Sequence, residues 1–126
     1  MLHGRSILVV DDYADTREML AFALETAGYG VLLAESGRDG IALAHAHHPV
    51  AVVMDIYMPE MDGIETTRHF KAQADLAGIP VLAHTAGPNG LAGVEDLFDG
   101  ICAKPCSPDA LIDLLNHMLQ SKGHPS

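Results

Sequence analysis

The chain has 126 residues, 48% of them hydrophobic, which suits one folded domain with its own core. Asp and Glu total 17 against 7 Lys and Arg, for a formal net charge of -10. That excess argues against non-specific nucleic-acid binding, which needs a basic face, and against an anionic membrane surface. No apolar run approaches a membrane span, and the amino terminus MLHGRSILVV lacks a signal-peptide pattern, so a cytoplasmic protein is expected. Cys102 and Cys106 are too few for a disulfide framework, and two thiols with no other close ligand make a poor zinc site. They read as two small apolar residues. His45, His47 and His48 cluster near the end of a predicted helix, where they suit the helix dipole better than a metal.

In chain order, Ser6–Val10 (SILVV) reads as a buried strand with Asp11 and Asp12 at its tip. Ala14–Ala27 reads as a helix with Met19, Leu20, Ala23, Leu24 and Ala27 on its apolar face and Gly28 placed to end it. Val31–Ala34 is a short second strand. Ser36, with Asp39 three residues on, marks the start of a second helix that runs to about His47 and buries Ile41, Leu43 and Ala44. Pro49 closes it.

The stretch VAVVMDIYMPEMDG, Val50–Gly63, organises the chain. Four apolar residues and Met54 make a strand buried on both faces. Asp55 follows at once, at the end where open parallel sheets bind ligands. Pro59, Asp62 and Gly63 make a loop and a helix cap.

Gly63–Ala77 reads as a third helix with Ile64 and Phe70 inward, ended by Gly78. Ile79–His84 is a fourth strand with Thr85 at its end. In the glycine-rich segment that follows, only about Leu91–Phe98 reads as helical. Ile101–Ala103 is a short fifth strand ending at Lys104 and Pro105. Ser107 and Pro108 cap a last helix, whose apolar face holds Leu111, Leu114, Leu115 and Met118. The tail QSKGHPS reads as frayed.

Strands and helices therefore alternate five times, which implies parallel strands, right-handed crossovers and helices on both faces. The strand tips then bring Asp11, Asp12, Asp55, Thr85 and Lys104 to one edge of the sheet. Three carboxylates together repel one another and call for a cation. Oxygen ligands suit Mg²⁺. Lys104 can reach a phosphate oxygen and Thr85 offers a hydroxyl. The set suits phosphoryl chemistry on a carboxylate.

With Asp11-Asp12, the block MDIYMPEMDG at 54–63, Thr85-Ala86 and Lys104-Pro105 in this order, the chain resembles the receiver domain of two-component response regulators. The resemblance covers Ser6 to about Gln120. It implies a flavodoxin-like (βα)5 fold with a five-stranded parallel sheet in the order 2-1-3-4-5, as a single domain over residues 1–126 with no output domain. It implies that Asp55 is the phosphoacceptor. Asp12 and Asp55 would ligate Mg²⁺ with the backbone carbonyl of Tyr57, and Asp11 would help through water. Thr85 and Lys104 would bind the phosphoryl group, and the Lys104-Pro105 bond would be cis.

The implied partners are a sensor histidine kinase or histidine phosphotransfer protein and an unknown downstream protein, with the chain a monomer or weak dimer and not an enzyme beyond its own phosphorylation. A phosphatase with an aspartate nucleophile is the rival, but such enzymes commonly place a second acid where Tyr57 stands. A degenerate receiver used only for binding would have lost an acid or the lysine. Three positions depart from the family pattern. Ile101 replaces a usual aromatic, the segment from Thr85 to Lys104 is short and glycine-rich, and Cys106 follows Pro105. The signal is therefore expected to run through Gly87–Gly100 rather than residue 101.

Overall fold

A computed structural model describes the backbone of residues 5–123 and the side chains as far as residue 120. Five strands, β1 (Ser6–Val10), β2 (Gly30–Ala34), β3 (Ala51–Asp55), β4 (Val81–Thr85) and β5 (Gly100–Ala103), form one parallel sheet in the order β2-β1-β3-β4-β5. Four α-helices accompany them among the described residues: α1 (Ala14–Thr26), α2 (Gly37–His47), α3 (Gly63–Ala72) and α4 (Pro108–Gly123).

The valine- and leucine-rich runs make the central strands because both faces are covered. All five residues of β3 and of β4 are buried. On one face Ile7, Val9, Val53 and Leu82 pack against Leu20 and Leu24 of α1 and Leu111 and Leu115 of α4. On the other, Leu8, Val10, Val52, Met54 and Ala83 pack against Ala44 of α2 and Phe70 of α3. Each Val, Leu, Ile, Met or Phe among them contributes about 1.5–3 kcal/mol by leaving water. The register sets Val10 beside Met54, Asp55 beside His84, and Thr85 beside Ala103. The strand ends are thereby level, and every residue at a tip faces the same edge.

The elements depart from the sequence reading at four places. Helix α3 ends at Ala72, not Ala77. Gln73 is extended, and its carbonyl then accepts from the amides of Leu76 and Ala77 in a turn that buries Leu76 completely. Burial of that leucine overrides helix propensity. Between β4 and β5 there is no α-helix over Leu91–Phe98; Pro88–Leu91 and Glu95–Leu97 form short 3₁₀ turns instead. Gly87, Gly90 and Gly93 cost that segment its helicity. On α1 only Leu20 and Leu24 are fully buried, while Met19 is exposed and Ala27 lies past the last turn. Finally, Cys102 and Cys106 are not two separate apolar fillers. They are joined as a disulfide, although both also pack against the α1/α4 core.

The Ser36 cap is present, with Asp39 N–H donating to its hydroxyl at 3.1 Å. His45 and His48 both lean on Asp75, at 2.8 and 3.4 Å. The predicted fraying of residues 120–126 falls mainly outside the described side chains; α4 continues to Gly123, and residues 124–126 lie outside the described residues. No helix among the described residues is long and apolar enough to cross a membrane.

Candidate functional site

Each site residue is held by the element that ends beneath it. Asp11 follows β1 and is buried. Its N–H donates to Ala34 O at 3.1 Å, which ties it to β2. Its carboxylate accepts from Tyr13 N–H at 2.9 Å, and Arg17 Nη1 donates to its carbonyl at 2.8 Å. Asp12 is exposed beside it. Asp55 is the last residue of β3 and only 6% exposed. The loop after it is clamped by Gly63, whose N–H donates to Ile56 O at 2.8 Å. A Cβ at Gly63 would strike the Asp55 carbonyl oxygen, so the start of α3 approaches this closely only with glycine there. The Asp62 side chain caps α3 by accepting from Glu65 N–H at 2.9 Å.

One carboxylate oxygen from each of Asp11, Asp12 and Asp55 lies within 4.8 Å of the other two. Lys104 reaches in from the end of β5. Its N–H donates to Thr85 O at 2.8 Å, and its Nζ stands 3.5 Å from Asp55 Oδ1 and 3.7 Å from Asp11 Oδ2. The Lys104-Pro105 peptide bond is cis, as expected. Burial, and next the Asp11 carboxylate, push the Asp55 carboxyl up from 3.8 to about 6; Asp12 adds to the rise and Lys104 opposes it. A cluster with one ammonium for three carboxylates is short of positive charge. Hard oxygen donors with room for water fit a divalent cation such as Mg²⁺ better than a soft metal.

Thr85 is fully buried, and its hydroxyl accepts from Gly87 N–H at 3.1 Å. Tyr57, 56% exposed, donates from its hydroxyl to Gly87 O at 3.0 Å. Its ring lies on a shelf made by Gly87 and Gly90, where a Cβ at either position would meet the tyrosine hydroxyl. The acid loop and the β4–β5 crossover are thus linked through Thr85, Gly87 and Tyr57. The structure brings Asp11, Asp12, Asp55 and Lys104 together, and it joins the Thr85 and Tyr57 side chains to one another through Gly87.

Two features were missed. The side chain of Tyr57 borders the site through its hydroxyl on Gly87. His84 is buried between Asp55 and Cys102 in the register, and neither ring nitrogen has a partner. Burial, with Lys104 adding to it, lowers the imidazole to about 4 and keeps it neutral. A histidine directly after the apolar run IPVLA, still within the strand, is the available signal.

The family model for the response regulator receiver domain matches residues 7–116. The chain is 37% identical over 123 residues to the phosphate regulon transcriptional regulatory protein PhoB of Pseudomonas aeruginosa, covering 95% of this chain and 54% of that protein. It is 35% identical over 116 residues to protein PilH of the same organism, covering 90% of this chain and 96% of that one. The chain thus spans about half the length of some relatives, PhoB among them, and nearly all of others. Among solved structures, the chemotaxis response regulator CheY4 of Vibrio cholerae superposes with a TM-score of 0.84 at 29% identity, over 91% of this chain and 98% of that one. A signal receiver domain of a histidine kinase from Syntrophus aciditrophicus gives 0.87 at 29% identity, over 97% and 95%.

Proposed function

Because the chain belongs to the receiver-domain family of response regulators, we propose that it accepts a phosphoryl group on Asp55 from a histidine kinase or a histidine phosphotransfer protein. The observation that carries the reading is the Asp55 carboxylate held between an ammonium at 3.5 Å and two further carboxylates. The carboxylate oxygen attacks phosphorus and a new O–P bond forms. The P–N bond of a phosphohistidine, or the P–O bond of an acyl phosphate, breaks and the leaving group keeps the electron pair. Lys104 stays beside Asp55 and offsets negative charge on the phosphoryl oxygens. The Thr85 hydroxyl donates to one of those oxygens and in doing so turns away from Gly87 N–H.

Asp12, Asp55 and the Tyr57 carbonyl would hold Mg²⁺, with Asp11 acting through water. The bound ion would offset the charge of the carboxylates and of the transferring group. The chain acts as a signalling protein of the cytoplasm, not as an enzyme that turns over an external substrate. The match to nearly the whole of PilH supports output by docking on a partner or by onward transfer of the phosphoryl group.

The test is incubation with acetyl phosphate and Mg²⁺, followed by intact mass. A gain of one phosphoryl group is expected in the wild type and none in Asp55→Asn. An equal gain in both proteins refutes Asp55 as the acceptor.

A further inference from the structure

We propose that Cys102 and Cys106 are a thiol–disulfide switch that brackets Lys104 and gates phosphoryl acceptance at Asp55. The proposal rests on the reading of Asp55 as acceptor. The two cysteines stand two residues before and two residues after Lys104, and the bond between them closes a loop over that lysine. Their Cα atoms are 6.1 Å apart, a separation a disulfide can span. Both are half-buried, not sealed.

The bond is a poor candidate for a stabilising staple. It spans a sequence separation of only four, where the loop-closure gain is smallest. Both cysteines also pack on the α1/α4 core. Opening the bond therefore leaves the sheet, Ala103 included, and α4 in place and loosens mainly Lys104 and Pro105. Of these, only Lys104 reaches the carboxylates. The closed form holds its Nζ 3.5 Å from Asp55 and 3.7 Å from Asp11.

The chemistry is thiol–disulfide exchange with a low-molecular-weight disulfide such as glutathione disulfide. Cys106 immediately precedes Ser107, whose hydroxyl accepts from Ala110 N–H at 3.1 Å at the start of α4. Cys106, as its thiolate, attacks one sulfur of the reagent. One glutathione thiolate leaves. The Cys102 thiolate then attacks the mixed disulfide at Cys106 and releases the second. The two cysteines lose two electrons and two protons in all, and the reagent is reduced to two thiols.

The test uses the full chain, oxidised with glutathione disulfide or reduced with dithiothreitol. Thiols are counted by alkylation and mass, and phosphorylation by acetyl phosphate with Mg²⁺ is timed over hours. The oxidised chain should resist alkylation at both cysteines. It should be phosphorylated about tenfold faster than the reduced chain, as a loss of positioning at one transition-state contact predicts. Cys102→Ser and Cys106→Ser should match the reduced wild type in both buffers. Lys104→Ala retains both cysteines and should lose the redox dependence, which a purely structural role for the bridge would not erase.

Equal rates in the two states, with the bond confirmed, overturn the gate. So do cysteines that alkylate or stay bound to glutathione after oxidation, and so does a redox effect that persists in Lys104→Ala. A chain that gains no phosphoryl group in either state instead refutes the Asp55 reading, and the gate falls with it.

Discussion

Asp55→Asn should stabilise the metal-free protein at neutral pH and leave it unchanged in acid. The carboxyl is held at about 6 in the fold against 3.8 in the unfolded chain, chiefly because it is buried. Below about pH 4 it is neutral in both states and costs nothing. As pH rises through 4 to 6, the unfolded chain ionises first and stability falls, so the cost is complete only above 6. The displacement corresponds to about 3 kcal/mol, or a rise in melting temperature of about 10 °C for a domain of this size. His84 works in the opposite sense. Its imidazole is lowered to about 4 from 6.5, so its contribution is full above 6.5 and is lost as pH falls. In the wild type the two slopes offset one another between pH 4 and 6. In Asp55→Asn the histidine slope stands alone, so the variant itself should lose stability steeply in acid, while its advantage over the wild type shrinks as Asp55 takes up its proton. Urea unfolding in EDTA at pH 4.5 and pH 7.5 reads both proteins. A variant no more stable than wild type at pH 7.5, or one with the same advantage at both pH values, refutes the argument.

Asp12→Ala should shrink the rise in melting temperature that Mg²⁺ gives, because a ligand that binds only the folded state stabilises it by an amount that grows with the logarithm of its affinity; an equal rise in both proteins counts against Asp12 as a ligand. Beryllofluoride with Mg²⁺, as a phosphoryl mimic, should change hydrogen exchange across Gly87–Gly100, with Phe98 the largest side chain repacked, and Thr85→Ala should abolish that change. Changes confined to Tyr57–Gly63 would count against the crossover as the moving part.

The central strands were legible because β1 and β3 are unbroken apolar runs, and burial on both faces leaves such runs no other use. The strand tips followed from that, and with them Asp11, Asp12, Asp55, Thr85 and Lys104. What could not be read depended on neighbours distant in sequence. Whether Gln73–Ala77 continues α3 turns on a pocket for Leu76, and nothing local announces one. The outward turn of Met19 depends on where α4 sits. Cys102 and Cys106 are four apart, a spacing that leaves open whether their side chains converge. The direction taken after Pro105 and the packing of both on one core cluster decide it. His84 was passed over because a strand pattern treats its six positions alike. Residue 84 falls in the row of Asp55 and Cys102 only once the register is set.

The seat of Tyr57 on Gly87 and Gly90 bears on which amino-acid combinations this fold can accept. Residues 57, 87 and 90 compete for one volume, although 30 positions or more separate the first from the other two. A side chain at 90 evicts the ring, and a smaller residue at 57 leaves a gap over two bare glycines. The three positions are therefore coupled in this chain. Gly90→Ala should destabilise the wild type more than it does a Tyr57→Ala background, and a double-mutant cycle of urea midpoints would give a coupling of about 0.5–3 kcal/mol. Strict additivity would mean that the ring leaves its shelf at no cost. In a chain that uses the aspartate-plus-two position for a different side chain, the crossover is released from carrying glycine there and is free to wind into a regular helix.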